Sequence, residues 1–181
     1  MKTPTKILLA ITAAAALSFA HPAKANLITN PGFETGDFTG WTTSGSTFVT
    51  ANPPWVHSGT WAGALNSTNA TISQSVATTP GTTYTIDFFA RALFLDTNFT
   101  VNFGNTVFNY LLTANGLYTE LTFNATVSGA NTNLSFHNPN GTVFLDDISV
   151  TPTGVPDGGT TVSLLGCALL GLAGLRRKLS C

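Results

Sequence analysis

Between residues 26 and 152 the apolar residues fall in short alternating runs, each closed by Gly, Asn or Pro. Alternation with period two puts successive side chains on opposite faces of an extended chain, so the pattern calls for strands and contains no amphipathic helix of useful length. Strands are expected near Ser46–Thr50, Trp61–Asn66, Thr71–Val76, Tyr84–Arg91, Phe99–Phe103, Thr106–Leu112, Tyr118–Val127, Asn133–His137 and Thr142–Val150. Pro80-Gly81, Gly104-Asn105, Asn115-Gly116 and Asn140-Gly141 supply the positive φ that tight turns demand. Both cysteines, Cys167 and Cys181, lie beyond this region, so no disulfide staples it and a packed core must hold it. The expected fold is an all-β, antiparallel two-sheet sandwich with jelly-roll topology, although turn signals alone do not separate a jelly roll from an immunoglobulin-like sandwich.

The two ends read as address labels. Lys2 and Lys6 precede the apolar run Ile7–Phe19, and Ala23-Lys24-Ala25 has the small-x-small pattern of a signal peptidase site. Residues 1–25 are therefore expected to be a signal peptide, cut before Asn26. The run is shorter than the roughly 20 apolar residues that span hydrocarbon. At the other end, Val155-Pro156-Asp157-Gly158-Gly159 is followed by apolar residues 160–175 and by Arg176-Arg177-Lys178. A helix over 160–175 would be about 24 Å long at 1.5 Å per residue, against roughly 30 Å of hydrocarbon, which suits a temporary anchor better than a permanent one. The positive-inside bias keeps residues 176–178 cytoplasmic and the Val-Pro-Asp segment on the outer side of the membrane.

Charge narrows the partners. From Asn26 to Pro152 the only basic residue is Arg91, against Glu34, Asp37, Asp87, Asp96, Glu120, Asp146 and Asp147. Such a surface repels phosphate, and nucleic-acid binding is excluded because its affinity comes from Lys and Arg displacing counterions.

Two resemblances sharpen this reading. The order of motif, apolar segment and basic cluster in residues 153–181 resembles the VPDSG-CTERM variant of the PEP-CTERM sorting signals, with Gly158 where that pattern has Ser. The resemblance implies an exported protein that an exosortase processes, passing through the inner membrane to the cell surface or extracellular matrix. The opening Asn26-Leu27-Ile28-Thr29-Asn30-Pro31-Gly32-Phe33-Glu34 and Gly36-Asp37-Phe38-Thr39-Gly40-Trp41 resembles secreted jelly-roll modules of the carbohydrate-binding, galactose-binding-like type. His57-Ser58-Gly59, Ile72–Val76 leading through Pro80-Gly81 into Tyr84–Phe88, and Leu145–Val150 follow in that family's order.

Glu34 and Asp146, hard oxygen donors from opposite ends of the domain, make sense as a clamp on a hard cation. The resemblance implies a structural Ca²⁺ held by the Gly32 carbonyl, the Glu34 carboxylate and Asp146, with carbonyls near His57 and Thr60. A sugar platform needs an apolar ring flanked by hydrogen-bonding groups. Alternation puts Tyr84, Ile86, Phe88 and Ala90 on one face of their strand and Thr85, Asp87, Phe89 and Arg91 on the other, where they would line a concave surface. Phe89, Arg91, Tyr110 and Trp55 are the candidate sugar contacts, and the cell's own exopolysaccharide is the expected ligand. A structural surface protein without a sugar site is the alternative, and a hydrolase is a distant third. No G-x-S-x-G or H-E-x-x-H pattern occurs. Asp146 and Asp147, as neighbours in a strand, point to opposite faces unless a bulge intervenes, and His57-Ser58 lack an evident third member for a triad.

Overall fold

The computed structural model describes residues 25–66 and 69–153. The expected signal peptide, all but Ala25, lies outside the described residues. So do the sorting motif 155–159, the apolar segment 160–175, the basic cluster 176–178 and both cysteines.

Ten strands form: β1 (Thr42–Ser44), β2 (Thr47–Thr50), β3 (Ala62–Asn66), β4 (Ala70–Ala77), β5 (Thr83–Ala92), β6 (Thr97–Phe103), β7 (Thr106–Leu112), β8 (Thr119–Thr126), β9 (Asn131–Asn138) and β10 (Thr142–Pro152). The nine expected strands are all present. The unexpected one, β1, is three exposed polar residues whose pairing with β4 depends on a distant partner instead of on its own sequence. Two antiparallel five-stranded sheets result, ordered β1-β4-β9-β6-β7 and β2-β3-β10-β5-β8. Only Gly104-Asn105, joining β6 to β7, makes a hairpin among the four expected turns. Pro80-Gly81, Asn115-Gly116 and Asn140-Gly141 instead carry the chain from one sheet to the other. Their glycines do adopt positive φ, but a local dihedral preference does not say which sheet the next strand joins.

The alternation of the strands builds the core. Ile72 and Val76, Ile86 and Phe88, Phe99, Val101 and Phe103, and Leu134 and Phe136 all point between the sheets. The N-terminal arm closes one side, with Phe33 fully buried over Gly63, where a Cβ would come within 2.7 Å of the ring. Strand β10 changes parity midway: Val143 and Leu145 face inward, and then Ile148 and Val150 do. A β-bulge between Asp146 and Ser149 absorbs the extra residue, with Asp147 at φ +50°.

Candidate functional site

The bulge organises the outer face of the second sheet. Because one residue is inserted, Asp146 and Asp147 do not diverge; both reach the turn at His57 and Ser58. Asp146 Oδ2 accepts the backbone N–H groups of His57 (2.9 Å) and Ser58 (3.1 Å), and its Oδ1 accepts that of Asp147 (2.8 Å). Asp147 Oδ1 accepts the Ser58 hydroxyl at 2.6 Å, and its Oδ2 lies 2.7 Å from His57 Nδ1. Glu34 holds the next residues, its carboxylate accepting the N–H groups of Thr60 (3.0 and 3.1 Å) and Trp61 (3.1 Å). Gly59 is required at the centre of this loop, since it sits at φ +67° and a Cβ there would lie 2.3 Å from Glu34 Oε1.

Held this way, residues 51–61 fold over the sheet. Phe144 points outward yet is fully buried, because the Trp55 ring stacks on it (centroids 5.3 Å, 22°) and Phe48 meets it edge-on (6.3 Å, 84°). The Arg91 guanidinium donates to the Pro54 carbonyl, and the Tyr118 hydroxyl donates to that of Trp55 at 2.8 Å. His57 lies flat on Phe89, with centroids 3.7 Å apart and 15° between planes, and is also near Tyr118. Burial pushes the Asp146 carboxyl up to about 6, the Asp147 charge adding to it while the amides of Ser58, Asp147 and His57 pull the other way. Burial also raises the Tyr118 phenol, with Asp146 contributing and Arg91 opposing.

Beside this covered half lies an open one. On β5 and β8 the outward side chains are Thr83 with Thr126 (2.7 Å), Thr85 with Asn124 (2.9 Å) and Asp87 with Thr122 (2.6 Å). Exposed Glu120 stands opposite Phe89 in the register, at the boundary between the two halves.

The sequence-derived residues divide accordingly. Phe89, Arg91 and Trp55 share the outer face, as alternation required, but Trp55 is packed down on Phe144 and Phe89 has His57 across its ring. Tyr110 is elsewhere: it packs near Phe108 and Phe88 on the inner side of β7, because its strand belongs to the other sheet. Gly32, Glu34, His57, Thr60 and Asp146 do come together, with Asp146 Oδ1 and Glu34 Cγ 3.2 and 3.6 Å from the position a Gly32 Cβ would take.

This donor set fits calcium only in part. Each of the two carboxylates already accepts three N–H contacts, leaving about one of four lone-pair sites on each. His57 and Thr60 face them with N–H groups. Among the described residues no group of three or more His, Cys, Asp or Glu side chains is placed to hold a metal.

His57, Ser58 and Asp147 form a three-member cluster that adjacency in sequence had concealed. Ser58 bonds the carboxylate and not the imidazole, so the Ser–His–Asp relay of a triad is not formed. Tyr118 and Asp147 also belong to the site and escaped selection from the sequence. The parity change in Val143-Phe144-Leu145-Asp146-Asp147-Ile148-Ser149-Val150 is the signal that marks Asp147.

Comparison with known proteins supports the two halves of this description separately. The VPDSG-CTERM motif family matches residues 154–179. No curated protein sequence matches the chain. Among solved structures, TmCBM61, determined in complex with β-1,4-galactotriose, superposes with a TM-score of 0.59 at 19% identity, covering 71% of this chain and 99% of that one. The CBM22-1 xylan-binding domain of Paenibacillus barcinonensis Xyn10C gives 0.57 at 19% identity, covering 75% and 99%. The C-terminal family 22 carbohydrate binding module of Clostridium thermocellum Xyn10B gives 0.56 at 13% identity, covering 74% and 98%. The chain thus joins a β-sandwich with the fold of carbohydrate-binding modules to a C-terminal VPDSG-CTERM motif.

Proposed function

We propose that this is an exported surface or matrix protein, released from its C-terminal anchor by an exosortase, whose sandwich binds a polysaccharide on the outer face of the second sheet. One observation carries the binding half: the exposed His57 ring, stacked on Phe89, adjoins a lane of hydrogen-bonding groups formed by Asp87, Thr85, Thr122, Asn124 and Glu120. A pyranose has an apolar C–H face and a polar rim, and this boundary offers both. The xylan-binding and galactotriose-bound neighbours point to β-linked glycans as the first ligands to try. Retention of the protein on xylan or β-1,4-galactan in affinity electrophoresis, lost in Asp87→Ala, supports the reading; equal mobility with and without every glycan refutes it.

The alternative, a structural surface domain, is favoured by the use of Trp55 and Phe89 in packing the protein's own loop. A hydrolase is the distant third reading, and Asp87 and Glu120, the two carboxylates of the open lane, would have to carry it.

The sorting half rests on the C-terminal motif. Leu27 N–H donates to Val150 and Thr153 N–H to Thr83, so the first and last described residues both leave from the C-terminal end of β10. Thr85 pairs with Thr151 and Asp87 with Ser149, so the open lane runs toward this same end, where the tail is attached. Replacing Pro156-Asp157 with Ala-Ala should leave an uncut form in the inner membrane. Recovery of an intact C-terminus through Cys181 from surface-extracted protein would make the tail an ordinary anchor.

Calcium at Glu34 and Asp146 is a further part of the proposal, resting on the resemblance and on the lone pairs those carboxylates retain. Chelation should lower the melting temperature and Glu34→Ala should remove that response; identical melting curves with and without chelator would count against the ion.

A further inference from the structure

Among the described residues the outer edge of β7 has no partner, and its sequence is complementary to itself. We propose that two copies of this chain pair antiparallel through β7, joining their five-stranded sheets into one of ten strands.

The two-residue turn Gly104-Asn105, with Gly104 at φ +61°, makes Phe103 and Thr106 the closing hydrogen-bonded pair of the β6–β7 hairpin. Bonding alternates along an antiparallel ladder, so Val107, Asn109 and Leu111 aim their backbone N–H and C=O groups away from β6. Among the described residues none of these groups has a hydrogen-bond partner. The side chains show the same deficit. Across the rest of the outer face of this sheet, β6 presents Asn98, Thr100 and Asn102, β9 presents Asn133, Ser135 and His137, and β4 presents Thr71, Ser73 and Ser75. Val107 and Leu111 stand 57% and 66% exposed at the margin of this polar field, opposite Asn102 and Asn98. Natural sheets blunt such an edge with Lys, Pro or a bulge, and β7 has none of these.

A two-fold axis through Asn109 resolves both deficits at once. It sets Val107 against Leu111, Asn109 against Asn109, and Phe108 against Tyr110, so that aliphatic meets aliphatic and aromatic meets aromatic. The axis falls on an outward-bonding residue, so positions 107, 109 and 111 all become hydrogen-bonded pairs. The strand carries no charge, so a second copy meets no repulsion along it, and the match of each position to its own mirror image singles out another copy as the occupant. One strand edge is small beside a standard protein interface of about 1,600 Å², so the association is weak in dilute solution and strengthened where many copies are held on one surface.

The test is sedimentation of the processed, surface-extracted protein across its full soluble concentration range. Wild type should shift reversibly from one chain mass to two as concentration rises. Val107→Lys with Leu111→Lys should abolish the shift, since the pairing sets like charges opposite each other. Val107→Lys with Leu111→Glu should restore it, because position 107 then faces an opposite charge at position 111 of the partner. Circular dichroism and melting temperature check that each variant folds, which is expected because both side chains are exposed. A wild type that stays monomeric at every concentration, or a charge-swapped variant no better than the double lysine in a folded protein, would overturn the proposal.

Discussion

The two halves of the outer face of the second sheet are built from the same kind of strand yet behave differently. Over β3 and β10 the face is apolar and covered: Phe144, Ala62 and Ala64 lie beneath residues 51–61, and the aromatic rings there pack on one another. Over β5 and β8 it is a row of Thr, Asn and Asp side chains bonded in pairs and open to solvent. The difference teaches that an aromatic residue on a sheet face is not by itself a ligand platform. A ring becomes one only if the protein's own loops leave it bare, and here the loop is drawn down by carboxylates located far away in sequence.

Removing the loop's anchor should give the largest effect. Asp146→Ala leaves the amides of His57 and Ser58 without an acceptor in a buried site, and should cost about 2–4 kcal/mol in urea denaturation. A loss no greater than that of an exposed substitution would mean that the loop closes without its anchor. Trp55→Ala comes next. It uncovers Phe144 and should cost about 2 kcal/mol, the scale of burying one large apolar side chain, whereas Thr85→Ala or Asn124→Ala in the open half should stay within about 0.5 kcal/mol. Comparable losses in the two halves would dissolve the distinction between them.

The pH dependence sharpens the same contrast. Burial holds the Asp146 carboxyl at about 6 against an ordinary value of 3.8, so the folded chain binds that proton more tightly than the unfolded chain. The stabilisation is fully present below about pH 4 and is lost as pH rises through about 6, because the unfolded chain releases its proton first. Stability profiles of wild type and Asp146→Asn should therefore diverge between those values, wild type falling relative to the variant; parallel profiles would rule out this coupling. The smallest effect on stability is expected for Asp87→Ala, within about 0.5 kcal/mol, since its bond to Thr122 is exposed. If that variant also retained glycan binding, Asp87 would not be a contact of the ligand.

Most of the strands were legible because alternation is a local property: Tyr84, Ile86, Phe88 and Ala90 are buried, and Thr85, Asp87, Phe89 and Arg91 face out, as period two requires. Strand β1 was not legible, since Thr42–Ser44 has no apolar member and becomes a strand only through β4. Trp55 and Tyr110 were legible as aromatic residues but not as positions, for their surroundings come from β10 and from the opposite sheet.

What the sequence by itself determined is the class of fold, the faces of its strands and the presence of a sorting motif, because each is written in neighbouring residues. Which sheet a turn leads to, that Asp146 and Asp147 converge on His57 and Ser58, and that Trp55 is packed and not displayed, only the tertiary structure decided. These depend on contacts such as the one from His57 to Asp147, 90 positions apart, whose formation rests on a single bulge in β10. One inserted residue reverses the facing of every side chain after it, and only the strands paired on either side fix where it is accommodated.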